Sequence, residues 1–176
     1  MIPQQRSEIV QALESSREEF NAAAAGVAEA QSKAKPAPDR WSVLECVEHV
    51  VVVEKRYLDL LAAAKMLEAP RVDKQKEAAI TAQFPDRTTK REAPEAVRPA
   101  GRFTSLALAL EQFNATRSQA IRFAQDRQAD LYRMTAEHPR MGALNGAEML
   151  LVIAGHGRRH AEQIREIKAA SAKAAK

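Results

Sequence analysis

The fold is decided where the chain reads WSVLECVEHV, residues 41–50. Ser42 can serve as the N-cap of a helix and Glu45, three residues later, as its reciprocal partner, so that the two form a capping box. Trp41 and Cys46 occupy the positions of the hydrophobic staple that often accompanies this device. The pattern predicts a helix that continues to about Leu67, with His49 at the edge of its apolar face.

A second helix begins with the same device. Asn145 is a suitable N-cap, Glu148 stands three residues later, and apolar residues recur at helical spacing to about Ala170. The same spacing predicts two further long helices, over Ser7–Ala30 and Thr104–Gln125. Because aromatic residues make up only 5% of the chain and glycine is scarce, the composition also favours helix over sheet. We therefore expect an all-α fold, a four-helix bundle.

The longest connection, Glu68–Gly101, lies between the second and third predicted long helices. Antiparallel neighbours in a bundle need only a few residues to turn, whereas this segment is long enough to cross the length of the bundle. It also holds four prolines, with room for a short helix near residues 74–82. The length favours an up-down-down-up bundle with a long crossover, and the alternative is a long functional loop on an up-down-up-down bundle.

Length and charge exclude several classes of function. We expect residues 1–176 to form a single domain, with a basic tail at 168–176 that frays. That tail holds three lysines and no acid, so the net charge of +4 leaves the rest of the chain nearly neutral and without the basic stripe of a nucleic-acid-binding protein. No run of apolar residues is long enough to span a membrane. A single cysteine, Cys46, suits the reducing cytoplasm.

Three histidines occupy positions from which they could meet around one metal ion. His156 and His160 lie one helical turn apart, within a stripe of otherwise aliphatic residues, and His49 lies on another helix. Three histidine ligands would leave a coordination position open, as in catalytic rather than structural sites. Core histidines that are satisfied by hydrogen bonds are the alternative.

Other polar residues give weaker signals. Glu45 is explained by its cap, and a second role as a general base or as a group that orients a ligand is a further hypothesis. Arg159 lies on the flank of the histidine stripe, where it could hold an anion at the rim of the site. We expect His138, which precedes Pro139, to be a loop residue, and Cys46 to be a small buried hydrophobe.

The motifs together resemble the DinB-like proteins. The resemblance rests on residues 41–50, on the stretch His138–Glu148, on His156–Ile164 and on the linker Ala93–Pro99. It spans about residues 10 to 168 and implies a four-helix bundle of up-down-down-up connectivity. It also implies a divalent metal, most often nickel or zinc, held by three histidines whose positions match His49, His156 and His160.

The functions that this resemblance implies remain broad. Related proteins include transferases and isomerases that use low-molecular-weight thiols, and proteins described as metal-dependent hydrolases. We therefore expect a cytoplasmic metalloenzyme with Zn or Ni, a small-molecule substrate and, in the transferase case, a small thiol. The alternatives are a non-catalytic module in which the metal pins two helices together, and a stress-related interaction protein that forms a homodimer.

Overall fold

The computed structural model describes residues 3–89, 91–126 and 130–174, and it is mainly helical. Four long helices form a bundle, and two short helices and a three-stranded antiparallel sheet lie between them. The elements in chain order are α1 (Pro3–Ala24), α2 (Glu29–Lys33), α3 (Val43–Ala62), β1 (Lys65–Met66), α4 (Lys74–Gln83), a 3-10 turn (Glu95–Val97), α5 (Leu106–Gln125), β2 (Met134–His138), β3 (Gly142–Leu144) and α6 (Gly146–Ala174).

Both capping boxes are confirmed. The Ser42 hydroxyl accepts from the Glu45 amide at 3.2 Å, and the Glu45 carboxylate accepts from the Ser42 amide at 2.8 Å. At the start of α6 the reciprocal distances between Asn145 and Glu148 are 2.8 and 2.9 Å. These local bonds satisfy amides that have no partner inside a helix, and they determine where α3 and α6 begin.

The first predicted helix is shorter than expected. It ends at Ala24 because Gly26 takes a positive φ of 73°, and the chain then forms α2 as a separate helix. Lys168 of α6 donates to the Ala23 and Ala25 carbonyls at 3.0 and 2.8 Å, at the end of α1. The helix α6 runs on to Ala174 and so covers most of the tail that was predicted to fray, and residues 175–176 lie outside the described residues.

The sheet corrects the expectation of a purely helical chain. The second predicted helix ends at Ala62 rather than near Leu67, because the chain turns into β1, where Lys65 pairs with Thr135 of β2. The strands β2 and β3 form a hairpin in which His138 pairs with Gly142. His138 is therefore a buried strand residue rather than a loop residue.

The His138 imidazole organises this hairpin. Its Nδ1 accepts from the Arg140 and Met141 amides, each at 3.1 Å, so its Nε2 carries the proton and donates to the Tyr57 hydroxyl at 2.8 Å. Burial, with a contribution from Arg140, lowers the pKa of His138 to about 4. The ring therefore ties the hairpin to α3 in its neutral form.

A buried ion pair divides the hydrophobic core into two clusters. Arg117 of α5 and Glu54 of α3 are both fully buried and form a two-bond pair. Arg117 also donates to the Leu13 carbonyl of α1 at 3.0 Å and to the Ile153 carbonyl of α6 at 3.4 Å. One side chain of α5 thus forms hydrogen bonds to the other three long helices.

The two clusters lie on either side of this pair, and the helices pass them in different orders. Helices α1 and α6 meet first the cluster that includes Leu13 and Ile153, and then the cluster that includes Phe20 and Ile164. Helices α3 and α5 meet them in the reverse order. In each of these two helices the residue of the Phe20 cluster comes first, Val47 in α3 and Phe113 in α5, and the residue of the Leu13 cluster follows, Leu61 in α3 and Ala124 in α5.

None of the helices in the described ranges is long and apolar enough to cross a membrane.

Removing Arg117 should be costly, because Glu54 would be left as an uncompensated buried charge. We expect Arg117→Ala to lower the free energy of unfolding by about 3–5 kcal/mol in urea titrations. The exposed Arg122 on the same helix provides the control, and Arg122→Ala should change the free energy by less than ~0.5 kcal/mol. Equal effects of the two substitutions would contradict a central role for Arg117.

Stability should fall in acid because of His138. Its folded pKa of about 4 lies below the usual value of 6.5, so the unfolded chain takes up a proton that the folded chain resists. The stabilisation is complete above pH 6.5 and is lost as the pH falls to about 4, a change of about 3 kcal/mol. In urea titrations the free energy of unfolding should fall less over this pH range in His138→Gln than in the natural protein. Identical decreases would show that His138 does not cause the loss of stability in acid.

Candidate metal centre

The three histidines do meet. His49 of α3 and His156 and His160 of α6 each offer a ring nitrogen, and these nitrogens lie within 4.8 Å of one another. The two closest, Nε2 of His49 and Nε2 of His156, are 3.2 Å apart. Exposed fractions of 5%, 7% and 7% show that all three rings are buried. Within residues 3–89, 91–126 and 130–174, no other group of three or more potential ligands is so close together.

His49 is oriented by the crossover between α3 and α5. Its Nδ1 donates to the Val97 carbonyl at 2.7 Å, which places the proton on Nδ1 and leaves the Nε2 lone pair directed at His156. A histidine that binds a metal usually donates its other N–H to a carbonyl or carboxylate in this way. The sequence did not indicate this contact, because Val97 orients His49 through its backbone carbonyl.

Glu48 holds the segment that carries this carbonyl, and it was also missed. Its buried carboxylate accepts from the amides of Ala100, Gly101 and Arg102 at 2.6, 3.1 and 3.1 Å, and from the Arg102 side chain at 2.7 Å. Gly101 has a positive φ of 74°, which favours glycine at this turn. The signal in the sequence was an acid next to His49 among apolar residues of a helix.

The histidine cluster fits a divalent metal. Two nitrogens bound at ~2.0–2.1 Å to one tetrahedral metal lie about 3.3 Å apart, close to the 3.2 Å between His49 and His156. The Nδ1 atoms of His156 and His160 are buried without a hydrogen-bond partner among the described residues. Hydrogen bonds within the described part of the protein therefore satisfy these two rings only in part, through His49 for His156 and through Gln163 for His160.

All three rings favour the neutral form, which is the form that binds metals. Burial lowers the pKa of His49, against a smaller opposing effect of its bond to Val97. Burial also lowers the pKa of His156 and of His160 well below the usual value, and neighbouring histidines and arginines add to the effect.

Aromatic side chains pack against the three histidines. The Trp41 ring lies 4.8 Å from the His49 ring and 6.2 Å from the His160 ring, measured between centroids, and Phe84 lies 6.2 Å from His156. Trp41 therefore faces two of the three histidines in addition to occupying the staple position. These two aromatic rings limit access of water to the histidine cluster.

Glycines on both sides of His156 let α6 come close to its neighbours. A Cβ on Gly155 would lie 2.9 Å from the Phe84 Cβ. A Cβ on Gly157 would lie 2.7 Å from the Ser16 hydroxyl and 2.8 Å from the Arg117 guanidinium. The ion pair that joins the four helices thus packs directly against the helix turn that presents His156.

The two tentative catalytic residues lie in different settings. Glu45 uses one oxygen in its cap and the other in an ion pair with Lys35 at 2.8 Å, and it does not join the group of potential ligands. Arg159 is 6% exposed and donates Nη2 to the Thr89 carbonyl at 2.9 Å. Cys46 is a buried thiol whose pKa is raised by burial, and like His138 it is not a member of the ligand group.

Comparison with known proteins bears on the family and on the fold. A family profile described as the DinB superfamily matches residues 12–164. The chain is 26% identical over 148 residues to protein YuaE of Bacillus subtilis (strain 168), covering 81% of this chain and 86% of YuaE. Its fold is similar to that of YfiT from Bacillus subtilis, with a TM-score of 0.61 and 14% identity over 98% of this chain and 90% of that chain. YfiT is described as "a probable metal-dependent hydrolase with an unusual four-helix bundle topology".

A side chain at position 157 should damage the packing behind the centre. We expect Gly157→Ala to lower the free energy of unfolding by about 1–3 kcal/mol, because the new Cβ would displace Ser16 and Arg117. Gly26→Ala provides a control, since it strains the backbone but meets no atom within 4 Å. Only Gly157→Ala should also broaden the His156 ring signals in NMR spectra, and unchanged signals would contradict the close contact.

Proposed function

The chain belongs to the DinB superfamily, and we propose that it is a metal-dependent enzyme whose divalent metal is held by His49, His156 and His160. One observation carries the proposal: three buried, neutral imidazoles bring ring nitrogens within 4.8 Å of one another. A buried polar group without a partner costs on the order of 1–3 kcal/mol. Metal coordination would use one nitrogen of each ring and so offset part of the cost of burying three imidazoles together.

The ligand set supports catalysis over a purely structural role. A structural metal is normally enclosed by four protein ligands, whereas a catalytic metal keeps a position open. Glu45 is the candidate from sequence for the fourth ligand that a structural site would need, but both of its oxygens are engaged elsewhere. Among the residues that the structure describes, no other carboxylate or thiol joins the three histidines.

The proposed chemistry follows from an open site with three imidazole ligands. Such a ligand set suits zinc or nickel, which when bound would supply a Lewis acid for a water or a small thiol. The protein would then act on a small molecule as a hydrolase or as a thiol-dependent transferase. The description of YfiT supports the hydrolase, and the resemblance to thiol-using members of the family supports the transferase.

The side chains around the site have separate tasks in this proposal. His49 would present Nε2 because the Val97 carbonyl holds its other nitrogen. Trp41 and Phe84 would exclude water. Glu45 would act as a positioning residue, since its cap determines where α3 begins and hence where His49 lies one turn later. Arg159 would hold an anionic part of the substrate.

We also propose up-down-down-up connectivity for the four long helices. It is supported by the order in which the helices pass the two core clusters. It is supported further by contacts between α1 and α6, in which Ser16 bonds Ala154 and Glu19 bonds Arg158.

The single domain, the homodimer and the cytoplasmic location stay predictions, and the location rests on the single cysteine.

Metal content tests the proposal. Tag-free protein incubated with Zn or Ni and then desalted should hold about one metal per chain by plasma mass spectrometry, and His49→Ala, His156→Ala and His160→Ala should each lose most of it. His138→Gln is the matched control, because His138 is a buried histidine outside the cluster, and it should keep its metal. Absence of metal from the natural protein would refute the proposal.

A substrate screen then separates the two reactions. Metal-loaded protein should cleave small esters or amides without any addition if it is a hydrolase, and it should need an added low-molecular-weight thiol if it is a transferase. The His156→Ala variant should be inactive in both assays.

A further inference from the structure

Arg159 is a buried cation with one unused donor group. The residue is 6% exposed, and its Nη2 donates to the Thr89 carbonyl at 2.9 Å. Its Nη1 is buried without a hydrogen-bond partner among the described residues. An unsatisfied guanidinium nitrogen is costly to bury, so the native protein is expected to supply it with a partner.

The position of Arg159 points to a partner in the site. It follows His156 by three residues and precedes His160, so it lies on the flank of the stripe of α6 that carries the two histidine rings. Its charge contributes to lowering the pKa of both histidines, which reflects its proximity to the two rings. Thr89 belongs to the segment 84–89, whose first residue, Phe84, covers His156.

The charges around Arg159 are not balanced. Arg87 is neutralised by Glu166, with two bonds of 2.9 and 2.7 Å, whereas the Asp86 carboxylate accepts from Thr88 and interacts at longer range with both Arg159 and Arg91. Arg91 lies over the Phe84 ring at 5.5 Å. Within the described part of the chain, neither Arg91 nor Arg159 forms an ion pair. Arg87, Arg91 and Arg159 thus share two nearby carboxylates, those of Asp86 and Glu166, so positive charge is in excess beside a centre that would hold a metal cation.

We propose that the substrate of this site carries a small oxyanion, most simply a carboxylate, which the Nη1 group of Arg159 binds. This inference rests on the proposed metal-dependent function and adds the chemical class of the substrate. A charge-assisted bond from guanidinium to carboxylate is roughly twice as strong as a neutral hydrogen bond, and it would satisfy the unused donor. Arg91, which is exposed, would add long-range attraction for the anion.

A purely structural role for Arg159 makes a different prediction. If Arg159 only pinned the Thr89 carbonyl, its replacement would weaken the segment 84–89 without any preference for charged ligands. The two roles are therefore separated by comparing an anion with a neutral molecule of the same shape.

Benzoate and benzamide form such a pair for calorimetric titration of metal-free and zinc-loaded protein. The natural protein should bind benzoate at least tenfold more tightly than benzamide, and the preference should disappear in Arg159→Gln and survive in part in Arg159→Lys. Arg158→Gln is the matched control, because Arg158 pairs with Glu19 instead, at 3.1 Å, and this variant should keep the preference within twofold. Inorganic phosphate and acetate, titrated in parallel, distinguish a phosphate-bearing from a carboxylate-bearing substrate.

The inference is overturned if benzoate and benzamide bind equally, if neither binds, or if the preference survives in Arg159→Gln. Urea unfolding of each variant verifies that the bundle is intact. Zinc content measured on the same samples separates the two proposals: one zinc per chain without a preference for anions refutes only the role of Arg159. Absence of zinc together with a preference for benzoate refutes the metal-dependent function and leaves an anion site.

Discussion

The buried pair of Arg117 and Glu54 is the interaction on which the rest of the structure depends. Two charges inside the bundle are tolerated only if their hydrogen bonds are satisfied, and Arg117 achieves this by bonding to α1, α3 and α6 from its own position on α5. The pair therefore sets how the four helices approach one another. His49 precedes Glu54 by five residues and His156 follows Ile153 by three, so the two helix segments that the pair joins also carry histidines of the buried cluster.

The crossover between α3 and α5 completes the centre. Glu48 and His49 are adjacent in sequence and bind the same part of the crossover, one through three amides and the other through the Val97 carbonyl. Earlier in the crossover, Phe84 covers His156, and the Thr89 carbonyl accepts from Arg159. The long connection thus orients His49, covers His156 and lies against Arg159, the cation proposed to bind substrate.

The parts of the fold that depend on neighbouring residues could be predicted from the sequence. Each capping box joins residues three apart, so Ser42 with Glu45 and Asn145 with Glu148 identify two helix starts without reference to the tertiary structure. The histidines could be predicted because polar rings interrupted an aliphatic stripe. The small sheet could not, because β1 has two residues and gains its partner seventy residues later.

Contacts between side chains that are far apart in the chain also could not be predicted from the sequence. Arg117 reads as one charged residue on an amphipathic helix, and Glu54 as an ordinary acid, yet they are 63 residues apart and fully buried. His138 seemed to belong to a loop because it precedes proline, but a bond to Tyr57, 81 residues away, makes it part of the core.

The most direct test of the account is a crystal structure of zinc-loaded protein, with data collected on both sides of the zinc absorption edge. We expect one anomalous peak at about 2.0–2.1 Å from ring nitrogens of His49, His156 and His160, with no fourth ligand from the protein. A peak enclosed by a fourth protein ligand would indicate a structural metal. Absence of zinc from the histidine cluster would contradict the proposed metal site.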